Sequence, residues 1–289
     1  MEAADQLQTN RTTAADVRAD ANIQSCGFLL ELSLDWIVLR ASENIHELLG
    51  ESHVTLIDEP LGRFVHAQAL HDLRNLFSRL SGTTGIARAY GVRLTDDPDL
   101  VDVAFQLSDG RVLFEAVPSA RTFGERFGTV GGLIAGLAGS SGQALLDNAA
   151  RRMRALTGYD RVTLVCGEQR AESSRGAFAA AAIDDGDLPV ILSDAGGDPV
   201  ALFPRNADES SSCNALMRAC SSSERERLID AGVRACLRVP FSVDGISGEF
   251  RCDSRRAREP AFELHAAAEL FAQLFATRLE IDRLNSARA

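Results

Sequence analysis

The sequence predicts an α+β fold divided into two domains, and three observations support this prediction. The chain has 289 residues, of which 45% are hydrophobic, which is enough apolar material for two cores. Its first part mixes short strand and helix patterns and then gives three consecutive strand patterns, as expected of a small antiparallel sheet with helices. Its second part opens and closes with helical patterns that enclose several strand patterns.

The first domain is expected to span residues 22–119 and to open with a β-hairpin. Residues 23–39 contain two short apolar runs broken by Ser33 and Asp35, a pattern typical of two paired strands. The polar, Ala/Thr/Asp-rich residues 1–21 before it are predicted to form a flexible N-terminal segment.

Helices and three strands complete the first domain. A short helix is predicted over residues 42–49, with Ser42 as its cap and Gly50 after its end. Leucines at helical spacing predict an amphipathic helix over residues 66–80. Three strands follow, of which the last two are joined by the turn Ser108-Asp109-Gly110, at residues 87–94, 100–107 and 112–118.

Residues 120–139 are interpreted as a linker between the domains, with a weak helix as the alternative. They are rich in glycine, but no Lys-Ser/Thr pair follows the glycines as a phosphate loop requires. No strand pattern precedes them directly, as a dinucleotide-binding fingerprint requires, so a nucleotide site is not predicted here.

The second domain is expected to span residues 140–286. Its first helix, residues 145–156, ends at Gly158, and a later helix over residues 221–230 begins in a serine cluster. Strands are predicted at residues 161–166, 188–192, 200–203, 231–243 and 246–252. The last helix, residues 263–285, carries more apolar residues than one stripe needs, which predicts packing on a second subunit.

Composition and motifs exclude several classes of function. The formal net charge of −11 disfavours binding to nucleic acid or to an anionic membrane. No apolar run is long enough for a transmembrane helix and no signal peptide is evident, so we expect a cytoplasmic protein. The six cysteines form no Cys-x-x-Cys pair, so no metal site is predicted, and no catalytic motif is present, which predicts a protein that is not an enzyme.

Several segments resemble bacterial phytochromes, in the same order along the chain. Residues 23–27, Ile-Gln-Ser-Cys-Gly, resemble the Ile-Gln-Pro-His-Gly that opens the PAS domain of that family, and residues 156–162, Leu-Thr-Gly-Tyr-Asp-Arg-Val, resemble the entry to its GAF domain. Residues 216–235 and the hairpin around 243–252 resemble later parts of the GAF domain. The resemblance covers residues 22–285 and implies a PAS domain followed by a GAF domain.

The same resemblance implies a figure-of-eight knot, in which the segment around Ile23 threads a GAF loop formed by residues 199–213. Members of the family hold a linear tetrapyrrole, biliverdin in bacteria, and sense red and far-red light. In this chain the residues at the positions that bind the tetrapyrrole differ from those of the family. No Cys precedes Ile23 for covalent attachment, and the Pro-Ala-Ser-Asp-Ile-Pro motif is missing together with a segment after Cys166.

The resemblance also assigns individual positions of the tetrapyrrole site. Ser223 stands where other members have the attaching Cys, and Glu224 stands where the family has a His near the pyrrole nitrogens. Asp253-Ser254 replace the paired histidines after the hairpin, and Arg218 matches a position that pairs with a bilin propionate. Because each buried polar group of the pigment left without a partner costs about 1–3 kcal/mol, we expect that bilin binding has been lost.

These observations favour a sensory and signalling module that acts through protein partners or another input, with no cofactor. One alternative is a residual photoreceptor that binds biliverdin non-covalently. Another is a thiol redox sensor that uses Cys213, Cys220 and Cys252, with Arg218 close enough in sequence to lower a thiol pKa. The expected partners are a second copy bound through the last GAF helix and an output such as a histidine kinase outside this chain.

Overall fold

The computed structural model describes residues 22–80, 85–119, 125–178, 188–205, 214–243 and 245–288. The chain divides into two compact units. The first comprises Met1–Ser119 and Gly197–Arg225, and the second comprises Ala120–Gly196 and Glu226–Ala289. The sequence predicted a change of domain within residues 120–139, but it did not predict that residues 197–225 return to the first unit. The predicted flexible segment, residues 1–21, lies outside the described residues.

Within the described residues, the first unit contains a seven-stranded antiparallel sheet. Its strands are β1 (Asn22–Gln24), β2 (Phe28–Leu32), β3 (Val38–Ser42), β4 (Ile86–Val92), β5 (Val101–Ser108), β6 (Arg111–Pro118) and a strand from later in the chain, β10 (Pro199–Phe203). They lie in the order β1-β10-β3-β2-β6-β5-β4. The predicted hairpin is confirmed as β2 and β3, and the turn between β5 and β6 contains Asp109 and Gly110, both with positive φ.

Helices cover one face of this sheet. They are α1 (His46–Leu49), α2 (His53–Leu56), a 3-10 helix (Leu61–Arg63) and α3 (Ala67–Phe77). Trp36, Phe77, Phe105 and Phe114 pack between the helices and the sheet, with the Trp36 and Phe105 rings 6.3 Å apart. The helix predicted over residues 66–80 is present as α3, which is shorter than predicted.

Ser42 is not a helix cap, which corrects the sequence analysis. It is the last residue of β3, and its hydroxyl accepts a hydrogen bond from the backbone N–H of Leu29 on β2. The helix begins later, after Ile45, and Gly50 ends it with φ of 72° as predicted. A serine before a helical pattern can be a helix cap or the last residue of a strand. Here the pairing of β3 with β2 makes Ser42 part of the strand.

The other face of the sheet is covered by residues of the returning stretch, Gly197–Arg225. A small apolar cluster forms there from residues of the sheet and of that stretch: Ile23, Leu29, Leu113, Leu202 and Ala215. Because both faces are covered, β2, β5 and β6 are buried along most of their length instead of on alternate residues. The sequence analysis counted residues 200–203 with the second domain, whereas β10 pairs with β1 and β3.

Strand β1 has hydrogen-bonded neighbours on both edges. Ile23 pairs with Val200 of β10 on one edge and with Arg218 on the other. Val200 belongs to residues 199–213, the loop that the sequence predicted around Ile23, whereas Arg218 lies after that loop. Residues 206–213 of that stretch lie outside the described residues, and the knot itself stays a prediction.

The second unit, within its described residues, contains a five-stranded antiparallel sheet. Its strands are β7 (Arg161–Cys166), β8 (Gln169–Ser174), β9 (Ile191–Leu192), β11 (Ala235–Val243) and β12 (Ile246–Ser254), in the order β8-β7-β12-β11-β9. The hairpin of β11 and β12 was predicted, although β11 begins at Ala235 and not at residue 231. Strand β8 was not predicted.

The helices of the remaining chain are α4 (Glu125–Ala135), α5 (Gly142–Thr157), α6 (Ser222–Asp230) and α7 (Phe262–Arg288). Helix α4 lies in the predicted linker, where a weak helix was the alternative interpretation. Helix α5 ends at Gly158 with φ of 69°, as predicted. Phe271 and Phe275 of α7 pack on Phe250 of β12 at ring distances of 5.9 and 5.2 Å, which places this helix on the core of the second unit.

Candidate functional site

The end of β12 carries a buried ion cluster centred on Asp253. Arg161, opposite Asp253 on β7, donates from Nε and Nη2 to Asp253 Oδ2 at 2.9 and 2.7 Å. Arg251 donates from Nε to Asp253 Oδ1 at 2.9 Å. The carboxylate is 0% exposed, and both of its oxygens accept charged donors. Asp253, one of the predicted positions of lost bilin contacts, is therefore held by the protein itself.

Ser254, the second of these positions, takes part in a turn that follows β12. Its hydroxyl donates to Asp160 Oδ2 at 3.5 Å and accepts from the backbone N–H of Arg256 at 3.2 Å. The same Asp160 oxygen accepts the backbone N–H of Arg255 at 3.0 Å. These hydrogen bonds fix the chain after β12 against the start of β7.

A phenylalanine lies between two arginines beside this cluster. The ring of Phe178 has the guanidinium of Arg161 at 4.4 Å from its centroid and that of Arg255 at 4.0 Å. Cation–π contacts of this kind are worth about 0.5–2 kcal/mol each. The ring therefore covers a face of the guanidinium that binds Asp253.

An open cavity of about 470 Å³ lies next to this cluster, lined by Asp160, Ser254, Arg255, Arg256, Ala257 and Arg258. Three of the six lining residues are arginines and one is an aspartate. The sequence analysis did not single out this run of arginines.

The cysteines of the second unit are buried. Burial and the neighbouring charge of Asp253 raise the pKa of Cys252, whose thiol also hydrogen-bonds with the side chain of Thr157. The same two causes raise the pKa of Cys236, and burial raises that of Cys166. A raised pKa lowers the thiolate fraction and hence the reactivity, so this environment does not favour the redox role predicted for Cys252.

The other two redox candidates belong to the first unit. Cys220 is 9% exposed, next to the serine cluster that begins α6. Cys213 lies outside the described residues. The redox interpretation of these two cysteines stays a prediction.

Glu224 forms the first turn of α6 as part of a capping box. The backbone N–H and the hydroxyl of Ser221 donate to Glu224 Oε2 at 3.1 and 2.8 Å, and the backbone N–H of Glu224 lies 3.3 Å from the Ser221 hydroxyl, which accepts it. Glu224 is only 4% exposed, and its carboxylate is used in this local arrangement.

Ser223 and Arg218 lie near this cap in the chain. The hydroxyl of Ser223 is 3.2 Å from that of Ser221 on the exposed side of the helix start. Arg218 is half-buried, its backbone bridges to Ile23, and its carbonyl accepts from Gln24 Nε2 at 3.2 Å. The propionate contact that the resemblance assigns to the Arg218 side chain stays a prediction.

Glu115 is a further buried carboxylate that the sequence analysis missed. It lies on β6, 1% exposed, and accepts the backbone N–H groups of Leu216 and Met217 at 2.9 and 2.8 Å. Burial raises its pKa to about 7, against the opposing effects of these two hydrogen bonds and of the charge of Arg88. The only sequence signal was an acidic residue inside an apolar strand pattern, Val-Leu-Phe-Glu-Ala-Val.

The arrangement of the described residues identifies the class of fold to which the chain belongs. The units are mixed α+β with antiparallel sheets, and this is the fold of phytochrome PAS–GAF structures. Residues 13–115 match the family model described as the PAS fold.

Solved structures show the same likeness over nearly the whole chain. The chromophore-binding domain of Stigmatella aurantiaca phytochrome P1 is 22% identical with a TM-score of 0.72, over 90% of this chain and 96% of that one. The chromophore-binding domain of an unusual bacteriophytochrome from R. palustris is 21% identical with a TM-score of 0.72, over 93% of this chain and 97% of that one. At this identity the likeness establishes the fold, and the predicted resemblance to bacteriophytochromes is confirmed at that level.

A longer relative extends beyond the chain. The photosensory core module of Stigmatella aurantiaca phytochrome is 21% identical with a TM-score of 0.74, and the match covers 92% of this chain but 59% of that one. Comparison with the curated proteins found no match. No described helix is both long enough and apolar enough to cross a lipid bilayer.

Proposed function

We propose that this chain is a phytochrome-like sensory and signalling module that no longer binds a bilin and acts through protein partners or another input. The observation that carries the proposal is the state of Asp253. Its carboxylate is fully buried, and both oxygens are bound by arginines of the same unit.

The energetics of this cluster support the loss of pigment binding. Asp253 is fully buried, so contact with a pigment would require its arginine partners to move, and breaking a buried ion pair costs about 3–5 kcal/mol. Glu224, at the other substituted position, is likewise occupied, because its carboxylate closes the capping box of α6. The carboxylates at both positions therefore already bind groups of this chain.

Absorbance after exposure to biliverdin tests this proposal. The full chain is produced together with a source of biliverdin, and the chromophore-binding domain from R. palustris is produced in parallel as the positive control. We expect the chain to elute from gel filtration without a red absorbance band while the control is coloured. A coloured complex that survives gel filtration would refute the proposal and establish the residual photoreceptor in its place.

Helix α7 supports a second part of the proposal, a homodimer. One side of the helix packs on the core through Phe271 and Phe275. Another side exposes four large apolar residues at intervals of four, seven and three, each 40–49% exposed: Leu270, Leu274, Ile281 and Leu284. Such a stripe is typical of a helix that packs against a second helix, and we propose that a second copy of this chain covers it.

The molar mass in solution tests the dimer. Light scattering after gel filtration should give twice the chain mass for the unmodified protein and the mass of one chain for the double variant Leu274→Glu, Ile281→Glu. Leu34→Glu is the matched control, because Leu34 is 60% exposed in the first unit, away from α7 in the chain. A monomeric unmodified protein, or a dimer that survives the double variant, would contradict this part of the proposal.

We propose no catalytic activity for the chain itself. The output would come from a partner such as a histidine kinase, in line with the likeness to photosensory core modules. The cytoplasmic location inferred from the sequence stays a prediction.

A further inference from the structure

The turn after β12 concentrates positive charge beside a cavity. Arg255, Arg256 and Arg258 line the cavity of about 470 Å³, together with Asp160 and Ser254. In a chain with a net charge of −11, three arginines within four residues form a local excess of the opposite sign. Pockets of about 300–1,000 Å³ are the usual size for small-molecule ligands.

The guanidinium of Arg255 is held in one position. It donates from Nη1 to the carbonyl of Arg175 at 2.9 Å and from Nη2 to the carbonyl of Ala177 at 2.7 Å. Its plane lies over Phe178, 4.0 Å from the ring centroid. Two hydrogen bonds and one cation–π contact therefore fix a side chain that would otherwise be mobile.

The guanidinium of Arg258 is held in the same manner. It donates to the carbonyls of Gly158 and Thr157 at 3.1 and 3.0 Å and lies 4.5 Å from the ring centroid of Tyr159. Its backbone N–H donates to the carbonyl of Ser193 at 2.9 Å.

The charges of these arginines are not neutralised by the groups that hold them. The backbone carbonyls accept hydrogen bonds from the guanidinium groups, and the aromatic rings stack on them. Neither kind of group carries a net charge. In the part of the chain that the structure describes, the ion pairs do not include Arg255, Arg256 or Arg258. The Asp160 carboxylate in the cavity wall is bonded to the backbone N–H of Arg255 and the hydroxyl of Ser254.

We infer that this cavity binds a small molecule through a phosphate group. Three arginines and one aspartate give the lining a charge of about +2, which a phosphate monoester at neutral pH, with a charge of about −1.5 to −2, would balance. Each fixed guanidinium keeps N–H donors beyond the two that it spends on carbonyls, and these donors can bind phosphate oxygens. Because two of the three forks are already held in place, binding costs little further side-chain entropy.

Isothermal titration of the full chain with pyrophosphate and with a phosphate monoester tests the inference. The deciding variant is Arg256→Ala, since Arg256 is exposed and its guanidinium holds no other part of the fold in the described structure. Arg151→Ala, which removes another exposed charge, from α5 of the same unit, is the matched control. We expect binding that weakens about tenfold or more in Arg256→Ala and less than about twofold in Arg151→Ala.

Three results would overturn the inference. The first is the absence of binding at millimolar ligand, and the second is an equal loss in both variants, which would indicate diffuse attraction. The third is tighter binding of citrate than of pyrophosphate, which would assign the site to carboxylates.

Discussion

Glu115 in the first unit and Asp253 in the second are equally buried carboxylates on antiparallel strands, but they are held by different partners. Glu115 accepts two neutral backbone N–H groups, from Leu216 and Met217. Asp253 accepts donors from two guanidinium groups, of Arg161 and Arg251. In both sites each carboxylate oxygen accepts at least one hydrogen bond, and the sites differ in whether the donors carry a full positive charge.

The difference shows what a hydrogen bond supplies and what it does not. Two amide dipoles lower the cost of burying a charged carboxylate but leave part of it uncompensated, which is why the pKa of Glu115 rises to about 7. The cluster of Asp253 is instead a local charge unit, which resists removal of any one member. The contribution of Glu115 to the free energy of unfolding is therefore expected to change with pH. Replacement of Asp253 is expected to lower that free energy.

Replacement of Asp253 by Ala is expected to have the largest effect. It leaves the guanidinium groups of Arg161 and Arg251 buried without their shared carboxylate, at a cost of about 3–5 kcal/mol. The free energy of unfolding in denaturant should fall by that amount. The control Asp230→Ala, which removes an exposed carboxylate at the end of α6, should change it by less than about 0.5 kcal/mol.

A triple variant separates the charge from the packing. With Asp253→Leu, Arg161→Met and Arg251→Met together, no buried charge is left uncompensated, and most of the lost stability should return. A triple variant that is less stable than Asp253→Ala would contradict the interpretation that the two buried guanidinium groups depend on the carboxylate of Asp253.

The pH dependence of stability is expected to show the next largest effect, through Glu115. Since its folded pKa of about 7 is above the ordinary value of 4.5, the folded state binds more protons between these values, and stability falls as the pH rises through this window. From pH 5.5 to pH 8 this group alone should lower the free energy of unfolding by about 2 kcal/mol.

Glu115→Gln tests that contribution, because an amide does not titrate. The pH profile of the unfolding free energy should be flatter for this variant than for the unmodified chain, by the same amount. Glu47→Gln, at an exposed position on α1, should leave the profile unchanged. Identical profiles for the Glu115 variant and the unmodified chain would show that Glu115 is ionised at little cost.

Glu224 adds a third buried carboxylate and the smallest expected effect. Its partner is a single serine three residues away, so Glu224→Ala should cost about 1 kcal/mol by weakening the start of α6. Thermal unfolding followed by circular dichroism measures this loss. Glu226→Ala, an exposed acid on the same helix, should lower the midpoint clearly less, and an equal loss would indicate a general charge effect.

Much of the local structure was predictable because its causes lie within a few residues. Leucines at helical spacing predicted α3, and Gly158, which can adopt a positive φ, predicted the end of α5. The turn at Asp109 and Gly110 predicted the hairpin of β5 and β6. Strand β8 was missed because it is an edge strand in which only Ala171 is buried, so it has no alternating apolar pattern.

The sequence predicted which positions belong to the candidate sites but not which residues contact them. The resemblance identified Glu224, Asp253 and Ser254 as substitutions, and the structure supplied the partners that explain why an acid can be buried there. Arg161 lies 92 residues before Asp253 in the chain, and their contact depends on the register of β7 with β12. Sequence periodicity carries no information about such a register.

The sequence by itself determined the two-domain α+β class, most helices and hairpins, and the resemblance to phytochromes, because short-range patterns and turn residues specify them. Only the tertiary structure decided that β10 joins the sheet of the first unit, that Glu115 holds residues 216 and 217, and that three arginines share one cavity wall. These features bring together residues that are far apart in the chain or fix side chains by backbone groups of other elements. Such contacts are set by the packing of whole elements, which no local pattern encodes.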